Sequence, residues 1–126
     1  MYFDEVLQQF SQRLSLPAIE LNAAGLAALD IADVGRLYIE ISNQSGQAEL
    51  LLYLSQNVLP SHAKDLARRA LSYCHYKHVH PFQVWAGVYR DQLIVLTRFL
   101  ENTATAAALE NAAIFLMRSL ETLNKA

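Results

Sequence analysis

The stretch RLYIEISNQSGQAELLLYLS, Arg36 to Ser55, decides the fold. In its first part Leu37, Ile39 and Ile41 alternate with Tyr38, Glu40 and Ser42, the period of a strand with one dry face. NQSG (43–46) has the composition of a hairpin connection. The run that follows, AELLLYLS, is a strand that does not alternate. Leu50, Leu52 and Leu54 fill one face, yet Leu51 and Tyr53 sit on the other. A strand that is apolar on both faces needs cover on both faces.

Upstream, GLAALDIA (25–32) reads as a first strand and DVG as a turn in which Gly35 is free to take positive φ. Before it, Phe3, Val6, Leu7, Phe10 and Leu14 fall at helical spacing, which predicts an amphipathic helix over 3–15. LSLP ends that helix, because Pro17 disfavours helical geometry at Leu16. Downstream, a second helix is expected from Ser61, an N-cap after Pro60, to about Lys77, with Pro81 closing it off. PFQVWAGV and QLIVLTRFL then form a second hairpin around Tyr89–Asp91, and a last helix spans 104–124. The order is α-β-β-β-α-β-β-α. Strands joined as hairpins give a twisted, largely antiparallel five-stranded sheet, so the class is α+β, with one domain over residues 1–126.

The fifth strand repeats the doubled pattern, with Leu93 and Val95 opposite Ile94 and Leu96. In the fourth, Phe82, Val84, Ala86 and Val88 share a face and Trp85 and Tyr89 point the other way. Three helices are poorly equipped to cover so much apolar surface, since Leu66 and Leu71 are the only large aliphatics of the second. Either both faces are closed within one chain, or apolar patches remain that bind other chains. An isologous dimer is the commonest such use.

Composition points the same way. Of 126 residues 53% are hydrophobic and only 17% charged, which is apolar for a small soluble domain. No apolar run approaches the ~20 residues that span a bilayer, so no membrane role is expected. MYFDEVLQQF lacks the basic start of a signal peptide. The single cysteine forms no internal disulfide. Both features suggest the cytoplasm. Net charge is −2, with residues 1–33 at −4 and residues 61–103 at +3. Asp65 stands one helical turn from Arg68 and Arg69. A nucleic-acid binder is usually basic overall with clustered Lys and Arg, and no nucleic-acid partner is expected.

CHYKHVH (74–80) is the one stretch that raises metal chemistry. Cys74 and His78 are i,i+4 and His75 and His78 are i,i+3, so either pair could share a helical face and offer zinc ligands. A structural zinc site draws on two separated ligand pairs, and here the second is missing. Histidines and Lys77 near a helix C-terminus suit its dipole, so a helix end is the expectation and no metal or cofactor is assigned. A phosphate-cradling glycine loop, a nucleophile elbow and a spaced histidine–carboxylate set are all missing. Asp30 and Asp33 are near each other, but Asp33 beside Gly35 suits a turn. No enzymatic activity is expected.

The helix closed by LSLP, then LAALDI, GRLYIEI and LLLYL, then a mid-chain helix, FQVWAGV, LIVLTRF and a final helix, together resemble the class I type III secretion chaperones of the Tir-chaperone type. The resemblance covers about residues 3–124. Many members have glycine where this chain has Ser15. The resemblance implies a nucleotide-independent homodimer in the bacterial cytoplasm. Its client would be a secreted effector, whose N-terminal segment wraps the dimer in extended form and stays export-competent. It also implies a link to the secretion ATPase or sorting platform. Strand parity and helix face place client contacts at Phe3, Leu7, Tyr38, Leu51 and Tyr53, and dimer contacts at Leu66, Ala70, Leu71, Trp85 and Tyr89. The alternative on the same fold is a dimeric regulator that sequesters a partner protein instead of carrying cargo.

Overall fold

A computed structural model describes residues 2–43, 46–75 and 80–125. Helix α1 (Tyr2–Arg13) leads into strands β1 (Leu26–Ile31), β2 (Gly35–Ser42) and β3 (Glu49–Asn57). A 3-10 turn at Pro60–His62 opens α2 (Ala63–Tyr73), followed by β4 (Trp85–Tyr89) and β5 (Gln92–Leu100). A second 3-10 turn at Glu101–Thr103 precedes α3 (Ala106–Asn124). The strands form one antiparallel sheet in the order β1-β2-β3-β5-β4. The expected class and element order are both met.

All three helices contribute to one core on one face of this sheet. On that face Leu29, Leu37, Leu54, Val95 and Ala86 stand opposite one another in register across all five strands. Leu37, Leu50, Leu52, Leu54, Leu93 and Val95 are fully buried there, under Phe10 of α1 and Leu109, Leu116 and Leu120 of α3. Helix α3 organises the layer. The Arg13 guanidinium of α1 pairs with Glu110 at 3.2 Å, and Tyr73 of α2 meets the Ser119 hydroxyl at 2.6 Å. At its far end Asn124 donates to the Gln56 side chain of β3 at 2.8 Å.

Element ends differ from the expectations for local reasons. Helix α1 stops at Arg13, not residue 15. Its last carbonyls are closed by the Leu16 N–H to Ser11 O at 2.8 Å and the Ser15 N–H to Gln12 O at 3.2 Å. That bond pair is a Schellman cap, which places Ser15 in the left-handed region at φ 54. Ser61 is not the N-cap of α2. It lies inside the 3-10 turn set up by Pro60, and His62 occupies the cap position without a side-chain bond. Helix α2 ends at Tyr73 with Cys74 as its C-cap and His75 already outside it, and the last two residues of the expected span, Tyr76 and Lys77, lie outside the described residues. Strand β4 begins at Trp85, not at Pro81, because the Thr97 hydroxyl takes the Gln83 carbonyl at 2.8 Å where a strand partner would continue. Both tight turns rest on left-handed residues: Asp33 at φ 63 before β2, and Arg90 and Asp91 at φ 49 and 60 between β4 and β5.

The Ser15 cap gives a test of the helix end. A left-handed serine is strained where glycine is not. Ser15→Gly is expected to raise unfolding stability by about 1 kcal/mol, measured as a higher urea midpoint at unchanged slope. A lower midpoint would contradict the capping geometry.

Candidate protein-binding face

Among the described residues no helix covers the sheet's other face. One residue along from the buried row, the register aligns Ala28, Tyr38, Tyr53, Leu96 and Trp85 across all five strands. At about 4.8 Å per strand this row runs about 19 Å. Tyr38 and Tyr53 stack with ring centres 4.9 Å apart and planes 12° apart. Next to it on one side lies the row Leu26, Glu40, Leu51, Arg98, and on the other Asp30, Arg36, Ser55, Ile94, Gly87. The middle of the face is therefore apolar and its margins are charged.

Arginines lie over the aromatic rings. Arg36 sits 5.7 Å from the Tyr38 ring centre, Arg98 5.8 Å from Trp85 and Arg90 5.2 Å from Tyr89. Arg36 also reaches Asp30 at 3.6 Å and Arg98 reaches Glu49 at 3.8 Å. A guanidinium on a ring keeps an exposed aromatic partly hydrated and can swing aside when a partner arrives. Beyond Arg36 the face becomes polar. The Ser55 hydroxyl donates to the Gln92 side-chain carbonyl, and Gln92 donates to Asn57 at 3.1 Å.

At the β4 edge Trp85 is 40% exposed and Tyr89 63%, with Gly87 between them. Together with Ile94 and Leu96 they line a shallow apolar trough of about 220 Å³. A Cβ built on Gly87 would meet nothing within 4 Å. No contact inside the chain demands glycine there, although glycine weakens a strand. The notch is a feature of the outer surface.

The ten residues singled out from sequence divide cleanly. Tyr38, Leu51 and Tyr53 lie half-buried on the open face, and Trp85 and Tyr89 complete the same face at its edge. Leu71 projects from α2, the most exposed of the described large hydrophobics at 74%. Phe3 and Leu7 are in the core at 2% exposure, and Leu66 and Ala70 face inward as well. The apolar stripe that predicts an amphipathic helix is the stripe that helix buries, so it is not left over for a ligand. Leu96, Ile94, Gly87 and the three arginines complete the face and were not singled out. Leu96 and Ile94 were visible as the doubled pattern of β5. Gly87 was visible as a glycine in mid-strand.

Of the helix-end stretch, the structure describes Cys74, His75 and His80. Cys74 follows α2 directly, and burial pushes its thiol pKa up, against a smaller lowering by the Ala86 backbone. His75 is exposed, and His78 lies outside the described residues. His80 meets the Tyr73 carbonyl through Nε2 at 2.8 Å and packs on the Tyr73 ring at 4.3 Å. It acts as a clasp on the end of α2. Among the described residues no group of three His, Cys, Asp or Glu side chains could hold a metal. Nor does any helix there have the length and apolarity to cross a membrane. Asp30 is engaged by Arg36 and Asp33 forms the turn.

The Type III secretory system chaperone SycN family model matches residues 2–123. A search of curated proteins finds no match. Among solved structures, the HopA1–SchA chaperone–effector complex superposes with TM-score 0.72 at 13% identity, over 99% of this chain and 94% of that one. The ExsC–ExsE complex gives TM-score 0.70 at 18% identity, over 95% and 89%. The Yersinia pestis type III secretion chaperone SycH, solved with a fragment of YscM2, gives 0.64 at 18%, over 98% and 97%. At these identities the superpositions establish the fold.

The open face also has a pH signature. Burial first, then the Glu40 carboxylate and then Tyr38, raise the Tyr53 pKa above its ordinary 10.0. The folded chain therefore holds this proton more tightly than the unfolded one. That contribution to stability is complete below about pH 10 and is lost as pH rises through the folded pKa. Tyr53→Phe is expected to lose less stability than wild type above about pH 10, read from thermal midpoints across the alkaline range. Parallel curves would show that the phenol is not held in this way.

Proposed function

Because this chain belongs to the Type III secretory system chaperone SycN family, we propose that it binds an extended N-terminal segment of a secreted effector and keeps it soluble and ready for export. The observation that carries the proposal is the uncovered row Ala28–Tyr38–Tyr53–Leu96–Trp85. It supplies apolar seats without a pocket of catalytic groups, and needs neither nucleotide nor metal. The β2–β3 half, with Tyr38, Leu51 and Tyr53, is the client seat. A client held as an unfolded segment against such a strip loses little on release, which suits passage through a narrow channel. Hand-over to the secretion ATPase or sorting platform belongs to the same proposal.

The β4 half is the pairing surface for a second chaperone chain, a copy of this one. Trp85 and Tyr89 are knobs and Gly87 is the hole between them, while Leu71 stands exposed on α2, on the helical side of β4, as a separate contact. A patch that carries both knob and hole can be self-complementary, as a two-fold interface requires. Phe3, Leu7, Leu66 and Ala70 are left out of both surfaces, because they support the core instead.

Affinity capture of the tagged chain from its own cell, followed by mass spectrometry, tests the client reading. One larger protein held near its N-terminus is expected, and Tyr53→Asp is expected to lower its affinity at least about tenfold with the fold intact, given the usual weight of a buried aromatic anchor. Unchanged affinity would remove Tyr53 from the seat. Recovery of only a small regulator would favour the sequestering role. The pairing surface has its own variant. Gly87→Val has room within the chain, so the fold is expected to hold while the pair dissociates about tenfold more readily, the scale of an overpacked interface. Light scattering reads this directly, with wild type at twice the 14.1 kDa chain mass. A wild-type chain that stays at single mass would end the self-pairing reading.

A further inference from the structure

The helical side of the molecule carries a second groove, away from the open sheet face. Pro81, Phe82, Asn111, Ile114, Phe115 and Arg118 enclose about 460 Å³ between the segment that leads into β4 and the outer side of α3. Its floor is aromatic. Phe115 packs against Phe82 at 5.6 Å and against His80 at 5.7 Å, and Phe82 leans edge-on to Phe99 at 6.1 Å. Asn111, Ile114, Phe115 and Arg118 follow one another at the i, i+3, i+4 and i+7 positions of α3. An outward helix face would ordinarily be polar along its whole length, yet Ile114 is 37% exposed on this one.

Charge says what fits. Arg118 is exposed at one end of the groove, and among the described residues it has no carboxylate partner. By contrast Arg13, Arg36, Arg69 and Arg98 each have one. Arg118 stands one helical turn beyond Ile114, about 6 Å along the axis. Alternate side chains of an extended peptide are about 6.6 Å apart. An apolar side chain set between Phe82 and Ile114 therefore brings the residue two positions away to the guanidinium.

We propose that this groove is a second client-contact site, which takes an extended segment of the client with an apolar residue and an acidic residue two positions apart. The apolar side chain covers Phe82, Ile114 and Phe115, and the carboxylate pairs with Arg118. Asn111 is left to bond the segment's backbone at the other end. The proposal rests on the client-binding reading and adds to it a second contact with its own apolar–acidic spacing.

The test is a titration of the isotope-labelled full chain, followed by amide NMR shifts. The probes are the blocked peptide Gly-Ser-Leu-Ser-Asp-Ser-Gly and its counterpart with Lys in place of Asp. The acidic peptide is expected to shift the amides of Phe82, Ile114, Phe115 and Arg118, and to bind about fivefold more tightly than the basic one, the scale of an exposed ion pair exchanged for a repulsion. Arg118→Glu is expected to reverse that order, and Ile114→Ser to weaken both peptides. Both positions are exposed, so the fold should tolerate either change. Equal binding of the two peptides, no binding, or shifts confined to the Tyr38–Tyr53 face would overturn the groove. The last of these would leave the open-face client seat standing, so the two readings fail separately.

Discussion

Two parallel rows of side chains, one residue out of step, set the character of this molecule. Leu29, Leu37, Leu54, Val95 and Ala86 cross the sheet on one face, and Ala28, Tyr38, Tyr53, Leu96 and Trp85 cross it on the other. Three helices suffice for the first row and leave the second uncovered. Every other property follows from that shortage of cover. Burial of the first row drives folding, at about 25 cal/mol for each Å² of apolar surface removed from water. The second row stays at the surface.

An uncovered apolar row is an aggregation hazard, and its margins limit the hazard. Arg36, Arg90 and Arg98 rest over the rings of Tyr38, Tyr89 and Trp85, and Asp30 and Glu49 hold two of those arginines from the side. The rings are thereby partly covered by groups that keep their own water. Charge around an apolar centre also favours a chosen partner over casual contact, since a mismatched partner must leave buried charge unpaired. The short β4 has the same logic at the edge. Five residues, an exposed aromatic at each end and a glycine between them offer side-chain relief for a partner but little backbone for an intruding strand.

The helix layer is held by few polar bonds, and most of them converge on α3. Glu110, Ser119 and Asn124 reach α1, α2 and β3 in turn. This makes α3 the scaffold of the helical side. It roofs the buried row with Leu109, Leu116 and Leu120, and it turns Ile114, Phe115 and Arg118 outward. The histidine-rich stretch belongs to the same scaffold, because His80 clasps the end of α2 onto Tyr73 and Phe115.

Local pattern determined a good deal of this by itself. Period-two spacing in β2, the doubled spacing in β3 and β5, and helical spacing in α1 and α3 carry the element order, the strand parity and the presence of an apolar surplus. Those features depend on neighbours a few residues apart, so they are legible in the chain. Helix ends were less so. The end of α1 is set by a backbone cap around Ser15, and the start of β4 by a hydroxyl on Thr97 fourteen residues from the carbonyl it takes. Strand parity marked Tyr38, Leu51, Tyr53, Trp85 and Tyr89, which do lie on the bare face, but which helix residues stay available was not legible. Phe3, Leu7, Leu66 and Ala70 look as available as Tyr53 or Trp85 in the sequence. They become core only because α1, α2 and α3 all settle on the same side of the sheet. That choice is made by long-range packing among elements up to a hundred residues apart, and only the tertiary structure records it.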